Sequence, residues 1–273
     1  MVPRNVTDSA MKGYELVWRE RKYLFQLAVF PLFIKIVCVM TIITNGLEFD
    51  TEKRALLMLP SFLADGWVMS HLIRLIYLDQ RWPFRPTGQP QRDAAILQDR
   101  ARGIMAGTIC FTLIEFLKEG FLGIMQHIIM PDGTMPQHPA TAETAAEPST
   151  LAMVLALGLT AFTFWSVRYL WLYIPAAAGF SGREYLRRCG SMMGSIRLLG
   201  AWMICSIPVL CLSFLVMGIF LGPFVGPEGL PAGLSFIKHL IFITANMVAL
   251  LLSTAGLSFV IRDMFVNNHK QSS

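Results

Sequence analysis

Six long apolar runs, separated by short polar segments, limit what this chain can fold into. They lie at about 23–45, 55–78, 103–129, 151–178, 198–221 and 234–261. About 20 apolar residues in helical form cross a hydrocarbon core, and within lipid only helices and closed barrels satisfy every backbone polar group. Runs of this length, with Pro31 and Pro208 among the prolines inside them, predict an all-α integral membrane protein. The expected fold is six transmembrane helices in three hairpins, a single domain over 1–273, with short amphipathic interfacial helices. Composition points the same way. The chain is 54% hydrophobic and 15% charged, against about 25% charged in an ordinary soluble domain. Residues 1–22 are polar and the run after them is too long for a signal-peptide h-region, so no cleaved leader is expected.

Charge sets the expected orientation. Segments 1–22, 79–102, 179–197 and 262–273 together hold 16 lysines and arginines, and the alternate loops 46–54, 130–150 and 222–233 hold 2. The positive-inside rule places the basic segments, and with them both termini, in the cytoplasm. Residues 130–150, with four prolines and no basic residue, read as an exposed loop on the opposite side.

The elbow between the fourth and fifth runs has its own pattern. Pro175 is expected to close the fourth run, and Ser181 with Glu184 matches the capping box. Tyr185, Cys189, Met192 and Ile196 then recur at helical steps, with Arg183, Arg187, Arg188 and Arg197 on the polar side. That predicts one basic amphipathic helix lying at the membrane surface. A second is expected within 1–22, capped by Asp8 or Ser9, with Met11, Tyr14 and Trp18 on one face. Asp93 is expected to begin a third short helix, and the third span to leave the core near Gly120 or Gly123.

Arg74, Arg168 and Arg262 stand 94 residues apart, each late in an even-numbered run. They read as three equivalent arginines reaching the headgroups. Arg74, Arg168, Arg183, Arg187, Arg188 and Arg197 are the candidate contacts to lipid headgroups or to a partner. The spacings Gly103–Gly107, Gly190–Gly194 and Gly218–Gly222 allow close helix approach, with packing inside the chain the default reading.

Ionisable groups within a bilayer are costly and so are candidate functional residues. Lys35 and Asp65 fall near the middle of adjacent runs and are expected to pair. Glu115 shares a helical face with Lys118 and Glu119. The plain reading is pairing that fixes helix packing; the sharper one is a midplane carboxylate that changes charge during transport. The five cysteines read as small apolar packers, and the five histidines offer no metal-ligand spacing. There is no nucleophile elbow, P-loop or dinucleotide fingerprint. No catalytic residue, metal or cofactor is expected, and no nucleic-acid partner.

The elbow RYLWLYIPAAAGFSGREYLRRCGSMMGSIRLLGAW and the opening YELVWRERKYLFQLAVFPLF are similar to bacterial YciC-like membrane proteins and to the membrane domain fused to some glycerophosphodiester phosphodiesterases. The likeness covers about a third of the chain, and no soluble phosphodiesterase domain accompanies it. It implies an all-α, six-span protein of a bacterial inner membrane and carries over no catalytic residues. Two functions fit these expectations. The first is a non-enzymatic protein that organises membrane lipids, anionic headgroups among them, or a partner membrane protein on its basic face. The alternative is a small-solute or ion-coupled transporter using Asp65 or Glu115.

Overall fold

A computed structural model describes residues 6–47, 50–129, 158, 167–224 and 230–269. Among these residues every regular element is helical. They are α1 (Val6–Arg19), α2 (Arg21–Thr44), α3 (Thr51–Leu78), α4 (Pro90–Ile129), α5 (Tyr173–Ala178), α6 (Gly182–Cys189), α7 (Met192–Leu221) and α8 (Ala232–His269). Short 3-10 helices at Val167–Trp171 and Gly222–Phe224 precede α5 and follow α7.

Four stretches are long and apolar enough to cross a membrane: Arg21–Thr44, Thr51–Leu78, Met192–Phe224 and Gly233–Phe265. They correspond to the first, second, fifth and sixth expected spans. The third expected span lies within α4, whose apolar stretch is interrupted by Glu115, Lys118 and Glu119. The fourth falls outside the described residues except for 158 and 167–178. There Pro175 does not close a helix. It sits in the first turn of α5, where its missing N–H would have had no intrahelical partner anyway. Gly179 ends α5 at φ 82°, and Gly179 N–H and Phe180 N–H donate to the Ala176 and Pro175 carbonyls at 3.3 and 2.9 Å. This paired return is the Schellman ending that favours glycine.

The basic amphipathic helix expected across the elbow is two helices. Helix α6 stops at Cys189, and α7 begins at Met192 with Ser191 accepting from Gly194 N–H at 3.1 Å. A local cap at Ser191 competes with continuation through Gly190, and the cap prevails. The expected apolar face divides with the helix: Tyr185 and Cys189 are fully buried, whereas Met192 and Ile196 are exposed. Ser181 occupies the cap position of α6 without a side-chain cap bond. Glu184 bonds Arg188 instead, so the capping box does not form.

Two other helices also differ from expectation. Asp93 lies in the first turn of α4, which runs unbroken through Gly120 and Gly123. Helix α1 turns Ser9, Ala10, Gly13 and Leu16 inward and leaves Met11 and Trp18 exposed. Its small residues allow the backbone of α8 to come close: a Cβ on Gly13 would stand 2.6 Å from Gly256 N. Tyr14 ties α1 to α7 as well, donating to the Ile204 and Cys205 carbonyls at 3.1 Å.

The core gathers at one end of the bundle. In α3, nearly every residue from Gly66 to Ile76 is buried, and in α8 every residue from 251 to 261 is buried. A helix buried on all sides needs neighbours all round. Helix α3 has them in α2, α4, α5 and α8, and its most extensive packing is on α4. Hydroxyls in the buried part of α8 are bonded: Ser258 Oγ to the Thr254 carbonyl at 2.7 Å, and Thr254 Oγ1 with Tyr173 Oη at 2.8 Å.

Candidate functional site

The basic segments converge at this core. Arg81 pairs with Glu20 at 3.0 Å, Trp82 N–H donates to Tyr23 Oη, and Ser9 donates to Asp263 at 3.2 Å. Segments around 20, 81, 99, 188 and 263 therefore share one end of the bundle.

Arg74, expected to reach the headgroups, is bound within the fold. It is 1% exposed. Its Nη2 pairs with Asp99 at 2.6 Å, Nε donates to Gln80 at 2.8 Å, and Nη1 donates to the Ala177 carbonyl at 3.2 Å. One guanidinium thus joins α3, α4 and α5, using the several fixed donors that lysine lacks. Gly103 makes room for it, and Gly107 makes room for Ala177. A Cβ on Gly103 would run into Arg74 Nη1, and one on Gly107 would meet Ala177 Cβ at 2.5 Å. The Gly103–Gly107 spacing therefore serves packing within the chain. Neither Asp99 nor Ala177 was foreseen as a partner, since both lie far from Arg74 in sequence.

The three spaced arginines are not equivalent. Arg168 Nη1 donates to the Gly190 carbonyl at 2.8 Å and its guanidinium lies over Tyr169. Arg262 stands over Phe259, 4.8 Å from the ring centre. Within the elbow, Arg188 is largely buried, donating to the Phe265 carbonyl at 2.9 Å and to Glu184. Arg183, Arg187 and Arg197 are exposed. Burial pushes the Cys189 thiol up to about 12 and raises the Tyr185 hydroxyl as well. Both stay protonated at neutral pH, so Cys189 supplies no thiolate there.

The candidate intramembrane charges form separate pairs. Lys35 Nζ binds Asp65 Oδ2 at 2.8 Å and Asn246 Oδ1 at 3.2 Å. Asp65 is 2% exposed, and its Oδ1, like Ser61 Oγ, is buried with no hydrogen-bond partner among the described residues. Lys118 binds both oxygens of Glu115, at 2.7 and 2.8 Å. Glu119 does not join them: Arg54 takes it through Nε and Nη2 at 3.0 and 2.7 Å. Asn246 escaped the sequence reading, although an amide in the middle of an apolar run was a visible signal. Glu115 also differs from Asp65 in access, since it lines a cavity of about 150 Å3 shared with Tyr173 and Trp202. Among the described residues no three histidine, cysteine or acidic side chains gather to hold a metal ion.

Among the described residues, architecture and hydropathy together define an all-helical protein with four helices able to cross a membrane. Comparison with family models, with curated proteins and with solved structures returns no match.

Proposed function

We propose that the chain is a multi-pass protein of a bacterial inner membrane, akin to the YciC-like proteins, with six crossings in three hairpins and both termini cytoplasmic. It works without catalysis, gathering anionic lipid or a partner membrane protein on its basic face. The observation that supports this reading is the division of labour among the arginines. Arg74 and Arg188 are consumed by the fold, while Arg183, Arg187 and Arg197 remain exposed beside the exposed apolar side chains of Met192, Met193 and Ile196. Cationic tips with apolar neighbours suit a surface of anionic headgroups over hydrocarbon.

Each basic side chain near an anionic surface contributes about 1 kcal/mol. Replacing Arg183, Arg187 and Arg197 together with glutamine is therefore expected to lower retention of phosphatidylglycerol by up to roughly a hundredfold. Arg188 is left intact because it supports the fold. Lipid and partner protein both copurifying unchanged with the triple variant would overturn the reading. Transport is the second reading, and the cavity beside Glu115 favours that carboxylate over the enclosed Asp65. Solute flux in proteoliposomes that survives Glu115→Gln would exclude that carboxylate, and no flux above that of empty liposomes would end the transport reading.

A further inference from the structure

We propose that the cavity bordered by α4, α5 and α7 binds a small organic cation, a primary or quaternary ammonium, on the Glu115 carboxylate. The cavity holds about 150 Å3, a size that in protein interiors admits a molecule of roughly benzene dimensions. Its lining includes Phe111, Trp171, Tyr173 and Trp202 among aliphatic side chains, with Glu115 and Lys118 as the charged groups. Aromatic rings beside one carboxylate form surroundings that suit ammonium groups.

Three features direct the choice of ligand. First, the walls are held in place: Tyr173 is locked by its 2.8 Å bond to Thr254 and meets Phe111 edge-on at 5.1 Å between ring centres. Second, the carboxylate already holds a cation. Lys118 Nζ lies 2.7 Å from Oε1, so positive charge is the sign this site accepts. Third, the resident cation can leave. The Lys118 side chain is 46% exposed and that of Glu115 22%, so the lysine reaches in from the open side while the carboxylate belongs to the cavity. A ligand ammonium that displaces it takes over the carboxylate and adds ring contacts. Lys118 then turns outward on its flexible stem. An anionic ligand would face Glu115 at close range and gain nothing from the rings. Lys35, the other intramembrane lysine near the core, is committed to Asp65 and Asn246.

The test is titration calorimetry of the full chain in phosphatidylglycerol nanodiscs, with tetramethylammonium chloride as ligand and sodium chloride as the matched control. Saturable binding of tetramethylammonium alone is expected. Glu115→Gln should weaken it at least tenfold, and Trp202→Leu several-fold. Lys118→Met should tighten it, because the competing ammonium is gone. A gain in affinity cannot come from misfolding, so that variant keeps the idea testable even if Glu115→Gln is unstable. No saturable binding by the parent chain and by Lys118→Met, or binding indifferent to Glu115→Gln in a folded sample, would overturn the proposal. Discs that include phosphatidylethanolamine separate two sources of the ammonium. Competition with tetramethylammonium assigns the site to a lipid headgroup, and unchanged affinity assigns it to a free solute.

Discussion

Single residues here divide into those that hold the bundle and those left over. Lys35 and Asp65 belong to the first group, at 2.8 Å with side chains 11% and 3% exposed. Two ions taken out of water are tolerable together, but one alone is not. Lys35→Met is therefore expected to destabilise the protein by about 3–5 kcal/mol, by stranding the Asp65 carboxylate. Lys35→Met with Asp65→Asn should recover most of that loss, since no uncompensated charge remains. Thermal unfolding of the two variants in one detergent checks this, and equal melting temperatures would refute it. Pairing of Lys35 with Asp65 was legible in the sequence from their depth in adjacent runs. The commitment of Arg74 was not, because its partners Asp99 and Ala177 come from α4 and α5.

At the scale of elements, local chemistry explains where helices begin and end better than hydropathy does. Asp50 starts α3 by accepting from Lys53 N–H at 3.1 Å, and its carboxylate also pairs with the Lys53 ammonium at 2.7 Å. That side-chain bond from Lys53, together with the backbone one, holds the Asp50 carboxyl below its ordinary range. A depressed carboxylate stabilises the fold above its unfolded value of about 3.9. The contribution is present in full at neutral pH and is lost as pH falls through the lower, folded value. The first turn of α3 is thus expected to hold at pH 6 and to fray below about pH 4. In Asp50→Asn, whose amide still caps, the acid-dependent part should vanish. Amide hydrogen exchange of Lys53 and Arg54, corrected for intrinsic rates, reads this out. The single elbow helix failed at the same scale, because periodicity does not register a cap such as Ser191.

The whole molecule is polarised. Its deepest packing, α3 from 66 to 76 and α8 from 251 to 261, lies at the end where the basic segments meet. Helix α1 is packed into that end through Gly13 and Gly256 and does not lie apart on a surface. In the proposed topology this end is the cytoplasmic one. Fusions of a fluorescent protein to the N-terminus and to the C-terminus should both fluoresce in a bacterial host. A periplasmic reporter inserted in 130–150 should be active. A dark fusion at either terminus, with the chain intact in the membrane, would refute the six-crossing arrangement. The α3–α4 zipper bears on this topology too: Arg74 meets Asp99 near one end of the pair and Arg54 meets Glu119 near the other, so the two helices run antiparallel.

The sequence by itself determined the class, because apolar runs of about twenty or more residues suit membrane helices rather than the shorter strands of a barrel, and 15% charged residues cannot clothe a soluble surface. It also determined that the midplane ions Lys35 and Asp65 would seek each other, since neither is tolerable alone there. Tertiary structure alone decided which arginines are exposed, which glycines are crossings, and which carboxylate borders a cavity. Those outcomes depend on contacts between residues distant in sequence, as when Gly103 opens the space that Arg74 fills and Ala177 closes it. Periodicity reports the face of a helix and carries no record of what that face will meet.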